Sequence, residues 1–297
     1  MKISNILLFA ALVLGLAAGP ASAAFDNVDT SPRARAMGDS GVATATDAFA
    51  PYFNPAGMAG LQGNTLGNSY VQPYSLDFMD QVYFGGVFSL NEKFGSLGFG
   101  LRRWATTYED VDLHKETTYT LAHGIRLYED THTTIDVGSA VNLYRLEFGE
   151  NISGDFLADD AGTVGFDASM LVTLHRRTRL GVMVKNINNP QIGIDNEELT
   201  QRLHVGLAYE PYADVTTVFE IESALGLDPQ YHGGVEFRIL ETLALRTGII
   251  TNPGKLTAGF GYEFEGATVN YGFSTGGGIL QPSHQFGLTF AWGGEAP

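Results

Sequence analysis

The sequence contains few residues whose types and spacing suggest catalysis. Gly38-Asp39-Ser40-Gly41 has the letters of a serine-protease nucleophile loop, in which the serine must meet a histidine base and an orienting aspartate. No partner motif accompanies it, and small residues in a closely packed segment explain it more simply. Gly276-Gly277-Gly278 lacks the strand-to-helix context and the lysine of a phosphate loop, so it predicts a flexible outer loop. We therefore predict no catalytic residue and no enzymatic activity.

Candidate metal ligands are equally sparse. Two acidic runs, Asp159-Asp160 and Asp195-Asn196-Glu197-Glu198, carry the clustered oxygens that Ca²⁺ prefers, but we interpret them as solvated loop charge. The absence of cysteine excludes a disulfide framework and cysteine-based metal sites. No two histidines have the i, i+4 or alternating spacing suited to a metal. The histidines are His114, His123, His132, His175, His204, His232 and His284. We predict no metal and no cofactor.

The first 23 residues read as an export signal. Lys2 precedes an apolar run from Ile6 to Ala18, and Ala21-Ser22-Ala23 forms a small-x-small cleavage site. The run is shorter than the ~20 residues that a membrane-spanning helix needs. We therefore expect the signal peptide 1–23 to be removed and the mature chain to be exported.

A segment rich in small residues follows, from Thr30 to Leu61. Arg33 and Arg35 stand near its start, and an Asn54-Pro55-Ala56-Gly57 turn stands near its end. Such a segment can pack inside a confined space but cannot build a core alone. We interpret residues 24–65 as an N-terminal plug inside a barrel.

The run from Arg33 through Asp47 to Asn54-Pro55-Ala56-Gly57 resembles the N-terminal region of the PorV/PorQ family of outer-membrane proteins. That family lies within the wider superfamily of FadL-type long-chain fatty acid transporters, and the Asn-Pro-Ala turn is common to both. The resemblance covers about 30 residues of the plug. It implies an outer-membrane barrel that either carries hydrophobic molecules or serves protein secretion.

Composition agrees with an exported barrel. Removal of Lys2 would leave 16 cations against 33 anions, and this negative balance disfavours nucleic-acid binding. The 37 glycines and 11% aromatic residues are high for a helical protein and usual for transmembrane β-barrels. No Pro/Ser linker or charge run divides the chain, so we expect one domain.

Apolar residues alternate with small or polar ones after Leu61, which is the period of a half-buried strand. The last segment shows this best, since Phe286, Phe290 and Trp292 share one face and Gly287 and Thr289 share the other. The predicted strands are 66–73, 80–90, 95–104, 116–128, 133–147, 163–174, 179–186, 201–210, 214–222, 232–239, 242–250, 256–264, 267–275 and 284–292.

The connections between these strands alternate in length. Links after even-numbered strands are brief, such as Pro211-Tyr212 and Leu240-Glu241, whereas Gly149–Gly162 and Ile187–Thr200 are long. Short periplasmic turns opposite long outer loops are expected of a membrane barrel and not of a soluble sandwich. We therefore predict an all-β protein, a transmembrane antiparallel β-barrel of about fourteen strands spanning 66–292, followed by a periplasmic tail, 293–297.

The last predicted strand must also carry the signal for assembly. It has to pair with the first strand to remove free edges, and its aromatic face is its recognisable feature. We predict that Phe286, Phe290 and Trp292 form this signal, although Gly293–Pro297 follows the aromatic end.

Charged residues fall on the face opposite the apolar one, and we assign them to the lumen. A lipid-facing Arg or Lys at mid-depth would cost ~2–4 kcal/mol. We interpret these charges as pairs that fill the lumen and hold the plug, and we expect Arg33 and Arg35 to lie among Glu220, Glu222 or Glu236. The lumen-facing set is Arg102, Arg126, Arg202, Glu220, Glu222, Glu236, Arg238 and Arg246.

Two functions remain open on the sequence. The first is passage of small hydrophobic, lipid-like molecules across the outer membrane of a Gram-negative-type bacterium through a plugged barrel. The second is a non-transporting partner of a protein secretion system. Expected partners are outer-membrane lipid, the outer-membrane assembly machinery, and either hydrophobic small molecules or secreted proteins. Apolar candidates for a pocket are scattered through the plug: Phe49, Tyr52, Phe53, Met58 and Leu61.

Overall fold

The computed structural model describes residues 25, 30–91, 93–109, 111–149, 160–193 and 195–294. The predicted signal peptide 1–23, most of the 149–162 loop and the end of the tail lie outside the described residues. All structural statements below concern the described part of the chain.

Fourteen antiparallel strands form one closed barrel, which confirms the predicted fold class. Each barrel strand pairs with the next along the chain, β7 pairs with β10, and β1 pairs with β16 to close the wall. A separate two-stranded sheet, β8 and β9, lies in the loop between β7 and β10. The strands are β1 Asn64–Gln72, β2 Met79–Asn91, β3 Gly95–Tyr108, β4 Val111–Glu129, β5 Thr133–Phe148, β6 Ala161–Leu174, β7 Thr178–Lys185, β8 Gln191–Ile192, β9 Glu197–Glu198, β10 Arg202–Tyr212, β11 Val215–Ala224, β12 Gln230–Leu240, β13 Leu243–Ile250, β14 Lys255–Phe264, β15 Ala267–Ser274 and β16 Ser283–Trp292.

The two faces of the wall differ as the alternation predicts. On β16, Phe286 and Phe290 are exposed on the outside, whereas Gln285 is fully buried inside. On β10, Leu207 is exposed outside and Arg202 is buried inside. An outer surface of large apolar side chains is what lipid requires, so the barrel is of the transmembrane type.

Two strands are longer than the sequence suggested. The predictions ended β3 at 104 and began β4 at 116, but the strands run to Tyr108 and from Val111, with a tight turn between them. Glu109, Asp112 and Lys115 interrupt the apolar alternation at this end of the hairpin, so the sequence pattern did not extend the strands. Similarly, Pro211-Tyr212 belongs to β10, and the turn falls at 213–214.

The segment before the barrel folds into short helices that cross the lumen. These are α1, Pro32–Ala36, α2, Ala50–Phe53, and a 3₁₀ turn, Pro55–Met58; a second 3₁₀ turn, Pro73–Ser75, follows β1. Ser31 caps α1 by accepting a hydrogen bond from the backbone N–H of Ala34. No helix among the described residues is long and apolar enough to span a membrane.

Candidate functional site

The Asn54 side chain holds the turn of the plug together. It is fully buried; its Nδ2 donates to the carbonyls of Val42 at 2.6 Å and Met170 at 3.4 Å, and its Oδ1 accepts from the N–H of Ala56 at 3.0 Å. The N–H of Ala56 also donates to Ser169 Oγ on β6 at 3.0 Å. One side chain therefore joins two parts of the plug and fixes both to the wall.

Glycine makes the close approach around this turn possible. A Cβ on Gly57 would lie 2.1 Å from the carbonyl oxygen of Ala45, so no side chain fits there. Pro55 occupies the first position of the 3₁₀ turn and packs against Gly124 and Gly138 of the wall. The Asn-Pro-Ala-Gly run is thus a packing unit within the lumen.

Inward-facing glycines surround the plug on twelve strands, and we call them the glycine ring. A Cβ on Gly138 would lie 2.3 Å from the backbone nitrogen of Ala56, and one on Gly181 would lie 2.3 Å from the carbonyl oxygen of Val42. The two barrel strands without such a glycine, β6 and β11, bind the plug through hydrogen bonds from its backbone. The ring consists of Gly67, Gly85, Gly98, Gly124, Gly138, Gly181, Gly206, Gly234, Gly248, Gly259, Gly272 and Gly287. Every barrel strand therefore contacts the plug.

Arg33 joins the plug to the wall by a bidentate ion pair. Its Nε and Nη2 donate to the two carboxylate oxygens of Glu236, both at 3.0 Å. Glu236 also accepts from Arg246 on the neighbouring strand, and Arg246 donates to Asn270 Oδ1 at 2.8 Å. The Glu236 carboxylate raises the pKa of Arg33 above its usual range, so this guanidinium stays charged inside the lumen.

The side chain of Glu220 binds the backbone of the plug. One of its carboxylate oxygens accepts from the N–H groups of Gly41 and Val42, at 2.9 and 3.1 Å. The other lies 3.0 Å from Nδ1 of His204. A buried carboxylate is tolerated here because backbone donors and an imidazole surround it.

Glu222, two residues after Glu220 on β11, forms a second anchor with His232 of the neighbouring strand β12. Glu222 pairs with Arg202, and one of its oxygens lies 3.6 Å from His232 Nε2. The Nδ1 of His232 lies 2.7 Å from the carbonyl oxygen of Gly38 in the plug. His232 therefore links the wall charges to the plug backbone.

The remaining predicted site residues are placed differently. Arg35 is buried but pairs with Asp39 of the plug itself, at 2.9 Å, rather than with a wall glutamate. Arg126 pairs with Asp136 at 2.8 Å and borders Gly60, where the plug leads into the barrel. Arg238 is exposed at the short-turn rim, so it is not part of the buried network.

A pocket lies on the long-loop side of the plug, and this is the candidate binding site. Phe25 and Tyr144 form an edge-to-face pair with ring centroids 4.9 Å apart, and the N–H of Phe25 donates to Glu116 Oε2 at 3.0 Å. The cavity holds about 30 Å³. Its lining is Phe25, Tyr52, Arg102, Thr118, Asn142, Tyr144, Asp167, Lys185, Asn186, Leu199, Thr200 and Arg202. Aromatic rings and cations thus share one small space.

Tyr52 of α2 is the part of the plug that forms the floor of the pocket. Its ring centroid lies 3.3 Å from Lys185 Nζ and 5.6 Å from the Arg102 guanidinium carbon. Both contacts are of the cation–π type, which favours aromatic rings beside desolvated cations. The Tyr52 ring therefore lies beside two cations of the wall.

The sequence did not identify most of this pocket. Phe25, Tyr144 and Leu199 come from three segments that are distant along the chain and meet only after the barrel closes. Tyr52 was singled out as one of several scattered pocket candidates in the plug, and Arg102 and Arg202 were singled out as lumen charges. The inward position of Tyr144 on β5, between outward Leu143 and Arg145, is the one signal that periodicity offers.

The predicted assembly residues lie on the closing strand. Phe286 and Phe290 face outward, and Trp292 is opposite Asn64 at the start of β1. The Trp292 ring packs against Phe88 of β2 with centroids 6.4 Å apart.

Among the described residues, no group of three or more His, Cys, Asp or Glu side chains could hold a metal ion.

Solved structures that match this architecture include proteins named as a monoaromatic hydrocarbon channel and a toluene transporter. The CymD monoaromatic hydrocarbon channel matches with a TM-score of 0.63 at 13% identity, over 91% of this chain and 99% of that one. The P. putida toluene transporter TodX matches with a TM-score of 0.58 at 13% identity, over 87% and 97%. The chain has the FadL-type barrel fold. A Pseudomonas aeruginosa FadL homologue agrees, with a TM-score of 0.55 at 11% identity, over 89% and 98%.

No protein-family model matches the chain, and no curated protein matches it by sequence. At these identities the structural likeness shows the fold alone. The wider FadL-type resemblance seen in the plug is thereby supported at the level of fold, and the narrower resemblance to PorV/PorQ stays a prediction.

Proposed function

We propose that the protein is an outer-membrane channel that passes small, mainly apolar molecules through a plugged barrel. The observation that carries the proposal is the pocket between the plug and the wall, on the long-loop side of the lumen, where three aromatic rings lie beside cations. Solved proteins of the same fold bear the names monoaromatic hydrocarbon channel and toluene transporter, and these names support the same class of solute.

Passage requires the plug to move locally. An apolar cavity of about 150 Å³ holds benzene, whereas this pocket holds about 30 Å³. An arriving aromatic molecule must therefore displace a lining side chain. Tyr52 is the suitable one, because its ring is held by Lys185 and Arg102 and an incoming ring can take over those cation contacts.

The proposal is tested by dye entry into cells that make the protein in the outer membrane. N-phenylnaphthylamine, an apolar dye that fluoresces in lipid, should enter faster than in cells without the barrel. Tyr144→Ala removes a pocket wall and should change the entry rate. Tyr119→Ala, which removes an outward-facing ring of β4, is the matched control and should not. Equal entry with and without the barrel would contradict transport.

The alternative function, a partner in protein secretion, gains no support from the structural neighbours, which are transport channels. The secretion function predicts a different result: cells lacking the protein would retain exported proteins, and dye entry would stay unchanged. The transport proposal needs no catalytic residue or cofactor. Its expected surroundings are outer-membrane lipid and, during biogenesis, the assembly machinery.

A further inference from the structure

Two adjacent short turns carry an unusual cluster of basic side chains. His132 lies in the β4–β5 turn, and His175, Arg176 and Arg177 form the β6–β7 turn. The two turns are joined by a hydrogen bond of 2.6 Å from the N–H of His175 to the carbonyl oxygen of His132. The two imidazole ring centroids are 4.9 Å apart. We call these four residues the basic rim.

The side chains of the basic rim are available to a ligand. All four residues are exposed, and within the described residues neither Arg176 nor Arg177 has an ion-pair or hydrogen-bond partner for its guanidinium. The single acid of the two turns, Asp130, already accepts from Tyr128 Oη and from the N–H groups of His132 and Thr133. The Asp130 carboxylate is therefore occupied by donors of its own turn.

Turn geometry does not explain the choice of residues. His175 and Arg176 both have positive φ, 51° and 59°. They are the two central residues of a turn closed by a hydrogen bond from the N–H of Arg177 to the carbonyl oxygen of Leu174, at 3.1 Å. Turns with positive φ at both central residues favour Asn-Gly, because a Cβ is strained there. A histidine and an arginine at these positions stabilise the turn less than Asn-Gly would, so their side chains are better explained by an external contact.

The basic rim lies at the depth of lipid headgroups. The β6–β7 turn begins directly after Leu174, on the face of β6 where Phe166 and Met170 are exposed to lipid. Leu180, which pairs with Val172, continues the apolar surface on β7. Side chains one residue beyond such a surface meet the headgroup region of the leaflet on the short-turn side.

The charge of the rim is also confined to one sector of the barrel. The next short turns around the barrel, after β10, β12 and β14, carry Asp214, Glu241 and Glu265. An anionic ligand is therefore attracted to the β4–β7 sector and repelled from these acidic turns. Two guanidinium groups beside two imidazoles disfavour an additional cation, so a metal ion fits this cluster less well than a phosphate does.

We propose that the basic rim is a binding site for the phosphate of an anionic phospholipid headgroup in the periplasmic leaflet of the outer membrane. The guanidinium groups of Arg176 and Arg177 hold the phosphate, and the imidazoles of His132 and His175 donate to it from the neighbouring turn. This site is independent of the transport proposal, because its residues lie at the turns and not in the lumen.

The test is native mass spectrometry of the full mature chain in detergent, titrated separately with dioleoylphosphatidylglycerol and dioleoylphosphatidylcholine. The wild type should bind the glycerol lipid more tightly than the choline lipid. The R176Q/R177Q variant should lose about fivefold in that affinity for each arginine removed. K93Q/K255Q removes the exposed Lys93 and the half-buried Lys255, both of which lie outside the basic rim. This variant is the control for charge and should bind like the wild type.

Retained gel mobility of unheated samples shows that each variant is folded. Equal binding of the two lipids, or an equal loss in K93Q/K255Q, would overturn the site. So would competition by millimolar inorganic phosphate alone, since a free anion and not a lipid would then be the ligand. A dependence on metal, seen as loss of binding in EDTA and in H132N/H175N but not in R176Q/R177Q, would overturn it in favour of a metal site.

Discussion

Single side chains in this lumen act as connections between the plug and the wall. Glu236 is the clearest example, because one carboxylate pairs with Arg33 of the plug and Arg246 of the wall. Glu220 does the same with backbone N–H groups. Buried charge is expensive unless it is paired, so these carboxylates are expected to be sensitive positions.

Glu236→Gln should be strongly destabilising. The amide keeps the size of the side chain but removes the charge that the half-buried Arg33 and the buried Arg246 share. Breaking a buried pair costs about 3–5 kcal/mol. The measurement is the temperature at which the folded gel band converts to the unfolded one. Glu265→Gln, in an exposed turn, is the control. A similar midpoint for both variants would show that the lumen pair contributes nothing measurable.

At the scale of elements, the plug and the barrel fit through backbone contact. The residues of the glycine ring have no Cβ, so the wall lies close enough to the plug that an added Cβ would clash with it. The plug is therefore held by close packing as well as by ion pairs. Interiors packed at this density respond to the addition of one methyl group.

Gly138→Ala tests this fit. The new Cβ would lie 2.3 Å from the backbone nitrogen of Ala56, which must shift. We expect a loss of about 1–3 kcal/mol in the free energy of unfolding. Gly254→Ala, where no heavy atom lies within 4 Å, should be close to neutral. Thermal unfolding followed by circular dichroism in detergent compares the two, and equal midpoints would mean that the plug is loosely packed.

The strands were predictable from sequence because their physical cause is local. Successive residues of β16 face lipid and lumen in turn. The apolar residues Phe286, Leu288 and Phe290 therefore indicate a strand without knowledge of the strands that pair with it. The end of β3 and the start of β4 were missed because Glu109, Asp112 and Lys115 interrupt the apolar pattern of the sequence there. The tight turn there has no pattern of its own.

The candidate site was less predictable because its contacts are long-range. An ion partner for Arg33 could be anticipated among three inward glutamates, since a buried cation needs one. The meeting of Phe25 with Tyr144 depends on barrel closure and on the path of the plug. Alternation assigns a face to a residue but does not say which distant residue it meets there.

At the scale of the whole molecule, one seam decides whether the barrel closes. β1 and β16 pair along their full length, with Leu66 opposite Phe290 and Asn64 opposite Trp292. An open barrel would leave unpaired backbone groups in lipid, which is not tolerated. The closing strand therefore has more influence on assembly than any other single strand.

Replacing both Phe290 and Trp292 with Asp should abolish membrane assembly. Both side chains face lipid at the seam, and a carboxylate there is unfavourable. The measurement is the fraction of protein recovered with the outer membrane that shows a heat-dependent gel shift. Deletion of Gly293–Pro297 is the comparison and should be tolerated. The opposite pattern would make the tail the assembly signal instead of the strand.

We expect the wall to survive removal of the plug, because the backbone hydrogen bonds between neighbouring strands close the barrel without it. The Glu236–Arg246 and Glu220–His204 pairs also remain. Deleting Thr30–Ala50 should therefore give a folded barrel with a wider lumen and raised entry of hydrophobic dye and of small polar solutes. A secretion partner would instead show little change in permeability and a defect in release of exported proteins. An unfolded product would contradict both versions, since the segment would then be an obligatory core for the wall. Dye entry, antibiotic sensitivity and the gel shift of unheated samples together separate these three outcomes.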